Sequence, residues 1–261
     1  MMIERIHGGT GKILVQGHRG AMGHAPENTM VSFAKGYDLG ADVIELDVHL
    51  SADKKLVVMH DPEVARTTDG SGRIGELTAE EIRFLDAGCR FSEVFRGARV
   101  PFLSEVLVWA REKIDLVIEI KGDPFPADGI EQLLIEEITS LNMLGHVLII
   151  SFYHETVRRI KELAPVPTGI LYTGHPVDPV GMAREANADS FRCDWRYLTR
   201  QDVEAAHRAG LWVSCWGAET EPLFQRMADM GIDSMGCNSP DRLRRWLDDR
   251  NLGIPGKGRK E

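Results

Sequence analysis

The sequence predicts a TIM-type (β/α)8 barrel, on three observations. Apolar runs of strand length alternate with amphipathic stretches of helical period along 261 residues, which implies parallel strands joined by right-handed helical crossovers. Barrels of this kind commonly occupy such a length as one domain. One pair of apolar runs, 43–48 and 56–59, is separated by too few residues for a parallel crossover, so it is read as a hairpin.

The strand runs fall at 13–17, 43–48, 56–59, 116–120, 147–152, 168–172, 190–193, 211–216 and 232–237. That is one more than the barrel needs. A hairpin turning near Asp53-Lys54 removes the surplus and returns His60 to the mouth where the 43–48 strand ends. Helices are expected at 29–39, 104–113, 130–141, 155–163, 200–209, 221–230 and 241–249. Thr199 and Ser104 are the expected start caps, and Gly40, Gly210 and Gly231 the expected stops. Residues 61–101 hold no strong strand, a turn-rich Thr67-Thr-Asp-Gly-Ser-Gly, and a short helix near 78–85. They read as an insertion after the second strand, folded over the C-terminal mouth. The segment 253–261 reads as a frayed tail on a single domain.

With 43% hydrophobic and 27% charged residues, the composition is that of a globular chain with a substantial core. The formal net charge is -9 and no basic stripe carries interleaved aromatics, which argues against nucleic acid as a partner and against docking on anionic membranes. A phosphate-bearing ligand therefore needs a local positive site. No run reaches membrane-spanning length and the first residues lack a secretory apolar region, so no stable membrane insertion and a cytoplasmic location are expected. Cys193, Cys215 and Cys237 lie in strand runs, Cys89 outside them, and no Cys-x-x-Cys pair occurs. They read as core thiols in a reducing compartment rather than as disulfides or zinc ligands.

The chemistry is concentrated at strand ends. In the 43–49 run, Ile44, Leu46 and Val48 share one face and Glu45 and Asp47 the other. Two carboxylates side by side on an inward face repel and are costly to bury. The 116–121 run repeats the pattern: Leu116, Ile118 and Ile120 can face the helices, while Val117, Glu119 and Lys121 can face the barrel axis. Glu119 and Lys121 could simply neutralise each other, but three carboxylates against one lysine favour a hard divalent cation, Mg2+ or Ca2+, on Glu45, Asp47 and Glu119. Glycines flank His18-Arg19 at the end of the first strand and allow a tight turn. That turn projects an imidazole and a guanidinium suited to phosphate, unless the pair is merely solvated. His60 is either a core histidine bonded to backbone or, with His18, half of an acid/base couple. Trp216, with Phe84, Phe91 and Phe102, either lines the leaving-group side or packs under the insertion.

Five motifs in order, His18-Arg-Gly, Pro26-Glu-Asn-Thr, Glu45-Leu-Asp, His60-Asp and Glu119-Ile-Lys121, resemble the glycerophosphodiester phosphodiesterase family. Thr67-Thr-Asp-Gly, Ser151-Phe152 and the Trp216 strand add to the likeness, which runs from about 13 to 248. The resemblance implies a barrel that hydrolyses glycerophosphodiesters to glycerol 3-phosphate and an alcohol. It matches Glu45, Asp47 and Glu119 to divalent-metal ligands, His18 to the general base, His60 to the general acid, and Arg19 and Lys121 to phosphate contacts. The sequence departs from the family at Cys237-Asn238, where Thr-Asp is usual, at Trp216-Gly-Ala-Glu219, where Trp-Thr-Val-Asn is usual, and at Pro101-Phe-Leu, where Pro-Thr-Leu is usual. These positions bear on which alcohol is released. A bulkier lysophospholipid diester is one alternative substrate, and a silent phosphodiester-binding barrel is a rival function. A Schiff-base role for Lys121 is disfavoured because Glu119 on the same face raises the pKa that such a lysine needs lowered.

Overall fold

The computed structural model describes residues 11–254. Eight parallel strands close on themselves, each followed by a crossover segment. They are β1 Leu14–Gly17, β2 Val43–Leu50, β4 Asp115–Ile120, β5 Val147–Ser151, β6 Thr168–Tyr172, β7 Ser190–Asp194, β8 Trp212–Trp216 and β9 Ser234–Cys237. The closing strand β1 pairs with β9 on one side and β2 on the other. The surplus strand, β3 Leu56–Val58, runs antiparallel to β2, Val48 opposite Val58 and Leu50 opposite Leu56. The turn between them holds Lys54 at φ 62° and closes with Ser51 N donating to Lys55 O at 2.9 Å.

The helices are α1 Met30–Asp38, α2 Ala79–Arg83, α3 Leu103–Ala110, α4 Ile130–Ser140, α5 His154–Leu163, α6 Pro179–Glu185, α7 Arg200–Arg208, α8 Glu221–Met230 and α9 Pro240–Asp248. Thr199 caps α7 as expected, its side chain accepting from Asp202 N and the Asp202 carboxylate accepting from Thr199 N. Ser104 does not cap α3. The helix starts one residue earlier, with Phe102 at the cap position, and Glu105 reaches back to accept from Phe102 N at 2.8 Å, so a carboxylate satisfies the amide of the cap residue. The sequence reading also lacks α6. Pro179 and Gly181 depress its intrinsic propensity, but Asp178 caps it by accepting from Gly181 N at 2.8 Å, and Pro179 stands in its first turn.

Period two along the strands sorts the core into shells. Ile44, Leu46, Val48, Leu116, Ile118 and Ile120 pack outward against Leu103, Leu107, Leu134 and Ile138 of α3 and α4. Inside the barrel, Leu14, Val43, Val117, Leu148, Ile150, Leu171 and Trp212 form a separate apolar plug. Polar residues above this plug therefore stand at the C-terminal mouth on a dry floor. The insertion has its own small core, Val57, Met59, Val64, Ile74, Ile82, Ala87 and Val100, and α2 is closed by a Thr78–Glu81 capping box. Of the tail, Gly253 bridges Ile13 and Leu252 O accepts from Ile13 N at 2.8 Å; 255–261 lie outside the described residues. Among the described residues no helix is long and apolar enough to cross a membrane.

Candidate active site

The first strand delivers its two functional side chains through a forced turn. His18 N donates to Cys237 O at 3.0 Å, pinning the end of β1 to β9. Arg19 then takes φ 48° and Gly20 φ 89°. Gly20 has to be glycine, because a Cβ there would stand 2.5 Å from Ser32 backbone carbon. The strained Arg19 backbone is held from both sides. Its N–H donates to Glu45 Oε2 at 2.9 Å, and its carbonyl accepts from Ser32 Oγ at 2.8 Å and Asn28 N at 3.1 Å.

Adjacent parallel strands supply the carboxylates. Asp47 on β2 is in register with Glu119 on β4, and Glu45 lies two residues before Asp47 on the same inward face. The three offer ligand atoms within 4.8 Å of one another, and all are buried. Lys121 Nζ stands 2.7 Å from Glu119 Oε1 and 3.2 Å from Asp47 Oδ1. Arg19 Nε lies 3.5 Å from Asp47 Oδ2, which also accepts from Asn28 Nδ2 at 2.7 Å.

These cations do not neutralise the trio. Burial and the Asp47 charge push Glu45 up to about 8, and the same two causes push Glu119 up to about 8. Asp47 alone is held low: burial opposes this, but Lys121 and Arg19 outweigh it. Asp47 Oδ1 is buried with no hydrogen bond. An all-oxygen donor set, two carboxyls whose charged forms are disfavoured by burial and by Asp47, and a carboxylate oxygen without a hydrogen bond together fit one hard divalent cation.

The two imidazoles face one cavity. His18 Nδ1 lies 2.8 Å from Asn238 Oδ1; the amide oxygen only accepts, so Nδ1 carries the proton and Nε2 has a free lone pair. His60 Nδ1 lies 2.6 Å from Asp61 Oδ1, which fixes the same tautomer. Burial lowers the pKa of both rings, helped by Arg19 at His18 and by Lys121 and Arg19 at His60, against the opposing pull of Asp47. A relay backs His60: Asp61 pairs with Arg66, Arg66 donates to Glu27 at 2.8 and 2.7 Å, and Glu27 accepts from Arg19 at 2.8 Å. Burial would raise Asp61, but Arg66 and His60 hold it down at about 2.

The cavity measures about 240 Å3 and is lined by His18, Arg19, Glu45, His60, Glu119, Lys121 and Trp216, with Phe152, Gln16 and Arg192 among the others. Asp47 lies beneath this surface, 1% exposed. All eight residues singled out in the sequence are thus brought to one place. Phe84, Phe91 and Phe102 are not: Phe84 is 70% exposed, Phe91 packs edge-on against Phe95, and Phe102 lies under Arg83. The insertion meets the site through Arg66 and borders a second cavity of about 300 Å3, lined by Pro62, Arg73, Ile74 and Lys121 among others. Sequence reasoning did not single out Asn28, Asp61, Arg66, Gln16 or Arg192 as working parts. Asn28 carried a signal, an asparagine one residue before the Thr29 cap at φ 55°, since asparagine tolerates left-handed backbone.

Comparison with known proteins agrees with this geometry. Residues 18–242 match the model of the glycerophosphoryl diester phosphodiesterase family. A glycerophosphodiester phosphodiesterase of Caldanaerobacter subterraneus subsp. tengcongensis is 39% identical over 234 residues, 89% of this chain and 96% of the relative. One from Bacillus subtilis is 31% identical over 250 residues, covering 88% and 85%. Among solved structures, an Oleispira antarctica phosphodiesterase in complex with the product sn-glycerol-3-phosphate superposes with a TM-score of 0.82 at 26% identity, covering 90% of this chain and 96% of that one. A glycerophosphodiester phosphodiesterase of Agrobacterium tumefaciens gives 0.78 at 29% identity, covering 89% and 99%. With the match spanning most of the barrel, the chain belongs to the glycerophosphoryl diester phosphodiesterase family.

Proposed function

We propose that this chain hydrolyses glycerophosphodiesters to glycerol 3-phosphate and an alcohol, with His18 as general base and His60 as general acid. The observation that carries the reading is the shared cavity. Two imidazoles, each with Nδ1 engaged, flank a buried trio of carboxylates that lacks enough positive charge.

Glu45, Asp47 and Glu119 would hold a divalent cation, Mg2+ or Ca2+, which supplies Lewis-acid stabilisation of the charge developing on phosphate oxygens. Arg19 and Lys121 bind and orient the phosphate. Lys121 has three donors and gives one to Glu119 Oε1 at 2.7 Å, leaving donors for substrate. His18 Nε2 accepts the proton of the nucleophile, either water or the neighbouring hydroxyl of the glycerol moiety. In the second case a cyclic phosphate forms and is then opened by water. His60 Nε2, in its protonated form, gives a proton to the departing alcohol as the P–O bond breaks. Trp216 packs against the organic part of the substrate and excludes water. A cavity of about 240 Å3 suits a small glycerophosphodiester, and the Oleispira antarctica neighbour is in complex with the product sn-glycerol-3-phosphate.

The test is release of glycerol 3-phosphate from glycerophosphocholine and glycerophosphoethanolamine with Mg2+, with Ca2+ and with EDTA. Metal-dependent release is expected. No release, with no metal uptake by calorimetry, contradicts the reading.

A further inference from the structure

The loop after β8 carries a carboxylate that this hydrolysis does not use. Gly217, in the left-handed region at φ 81°, turns the chain just past the end of that strand. Glu219, two residues on, reaches across to the end of β9. Its Oε1 and Oε2 accept from Asn238 N at 3.0 and 3.2 Å. Asn238 O accepts from Gly23 N at 2.9 Å, and Asn238 Oδ1 accepts from His18 Nδ1 at 2.8 Å. Asn238 is therefore tied through its backbone on both sides, and its amide is aimed at the base with a carboxylate one step behind it.

Charge gives Glu219 a second task. When His18 Nε2 accepts a proton, the ring becomes a cation beside the Arg19 guanidinium, which disfavours it, while its partner at Nδ1 is a neutral amide. The charged groups acting on His18 are Arg19 on its own turn, Asp47 on β2 and Glu219. Asp47 already answers Lys121 and Arg19. Glu219 is drawn on only by His18 and Arg242, through space, and by the Asn238 N–H. Burial raises its pKa against those three, so a proton on His18 favours the ionised carboxylate. Where the family pattern usually has Asn and Asp, this chain has Glu219 and Asn238. Carboxylate and amide have changed places behind the same imidazole.

We infer that Glu219 is the positioning residue of the general base: it anchors Asn238 against His18 and supplies the negative charge that the imidazolium needs. This rests on the hydrolytic reading above and specifies how its base is oriented and charged.

The test exchanges the two groups. Values of kcat, KM and the pH profile are measured on glycerophosphocholine, with Mg2+ and with Ca2+, for wild type, His18→Ala, Glu219→Gln and the double variant Glu219→Gln/Asn238→Asp. Glutamine keeps an acceptor for Asn238 N and removes only the charge, so Glu219→Gln is expected to lower kcat about tenfold with KM within about threefold. The His18 pKa falls when the carboxylate is lost, and the acidic limb of kcat/KM moves to lower pH. The double variant places a carboxylate directly on Nδ1 and is expected to return kcat to within about threefold of wild type, with the limb back at the wild-type pH or above it. Melting curves verify that each variant folds. Glu219→Gln that matches wild type in kcat and pH profile overturns the inference. A loss of kcat that the double variant does not recover also overturns it, because the carboxylate then serves the loop and not the base. No release by wild type, or unimpaired release by His18→Ala, sinks the hydrolytic assignment itself; His18-dependent release that is indifferent to Glu219 sinks this inference alone.

Discussion

Asn28 Nδ2 donates to Asp47 Oδ2 at 2.7 Å, and Asn28 Oδ1 accepts from Asp47 N at 3.4 Å. One amide thus grips both the side chain and the backbone of the central carboxylate. Groups behind a metal ligand fix its orientation, and their loss typically weakens affinity by about 10–100-fold. Asn28→Gly removes the amide while tolerating the left-handed backbone at φ 55°. Calorimetry should show weaker Mg2+ and Ca2+ binding by that factor. Unchanged affinity would mean that Asp47 is held by its cations alone.

The raised carboxyl pKa values make metal binding a proton-releasing event. Glu45 and Glu119 are pushed up by burial and by Asp47, so without metal both hold protons to higher pH than free carboxyls. Uptake of a dication displaces those protons, and the measured heat should vary with the ionisation enthalpy of the buffer. Buffer-independent heats at pH 7 would contradict the charge assignment.

The same shifts fix how the metal-free protein responds to pH. For both groups the folded pKa lies above the unfolded value, so the folded state binds more protons between about pH 4.5 and 8. Their stabilising contribution is complete below that window and is lost as pH rises through it. Melting temperature in EDTA should fall from pH 6 to pH 8, and saturating Ca2+ should flatten the fall. A rise over this interval in EDTA would reverse the sign and refute the prediction.

Asp61 acts on His60 through a 2.6 Å contact and is itself held by Arg66. An amide in its place can offer the imidazole a donor, which favours the wrong tautomer. Asp61→Asn is expected to lower kcat by about tenfold or more with KM little changed, since proton transfer and not binding is affected. A rise in KM at constant kcat would assign Asp61 to substrate binding instead.

What the sequence revealed depended on distance along the chain. Period two within β2 and β4 was enough to turn Glu45, Asp47, Glu119 and Lys121 inward, because alternation is a local property of an extended backbone. The short link from Val48 to Leu56 likewise decided the hairpin. The partners that orient these groups were not legible. Asn238 meets His18 across 220 residues and Arg192 meets Gln16 across 176, and only closure of the barrel brings such pairs together. Local signals can also mislead: Ser104 resembles a cap, but the helix begins before it, and Glu105 reaches back to the amide of Phe102.

The central claim is that His60 protonates the leaving alcohol, and a change of leaving group tests it most directly. The measurement is kcat/KM of wild type and His60→Ala on glycerophosphocholine and on glycerol 3-phosphate esterified to p-nitrophenol. On the choline diester, whose alkoxide leaves badly unprotonated, the variant should lose roughly two to four decades. On the nitrophenyl ester, whose phenolate leaves without a proton, the loss should shrink to about tenfold or less. Equal losses on both substrates would contradict the assignment and leave His60 a structural or binding residue.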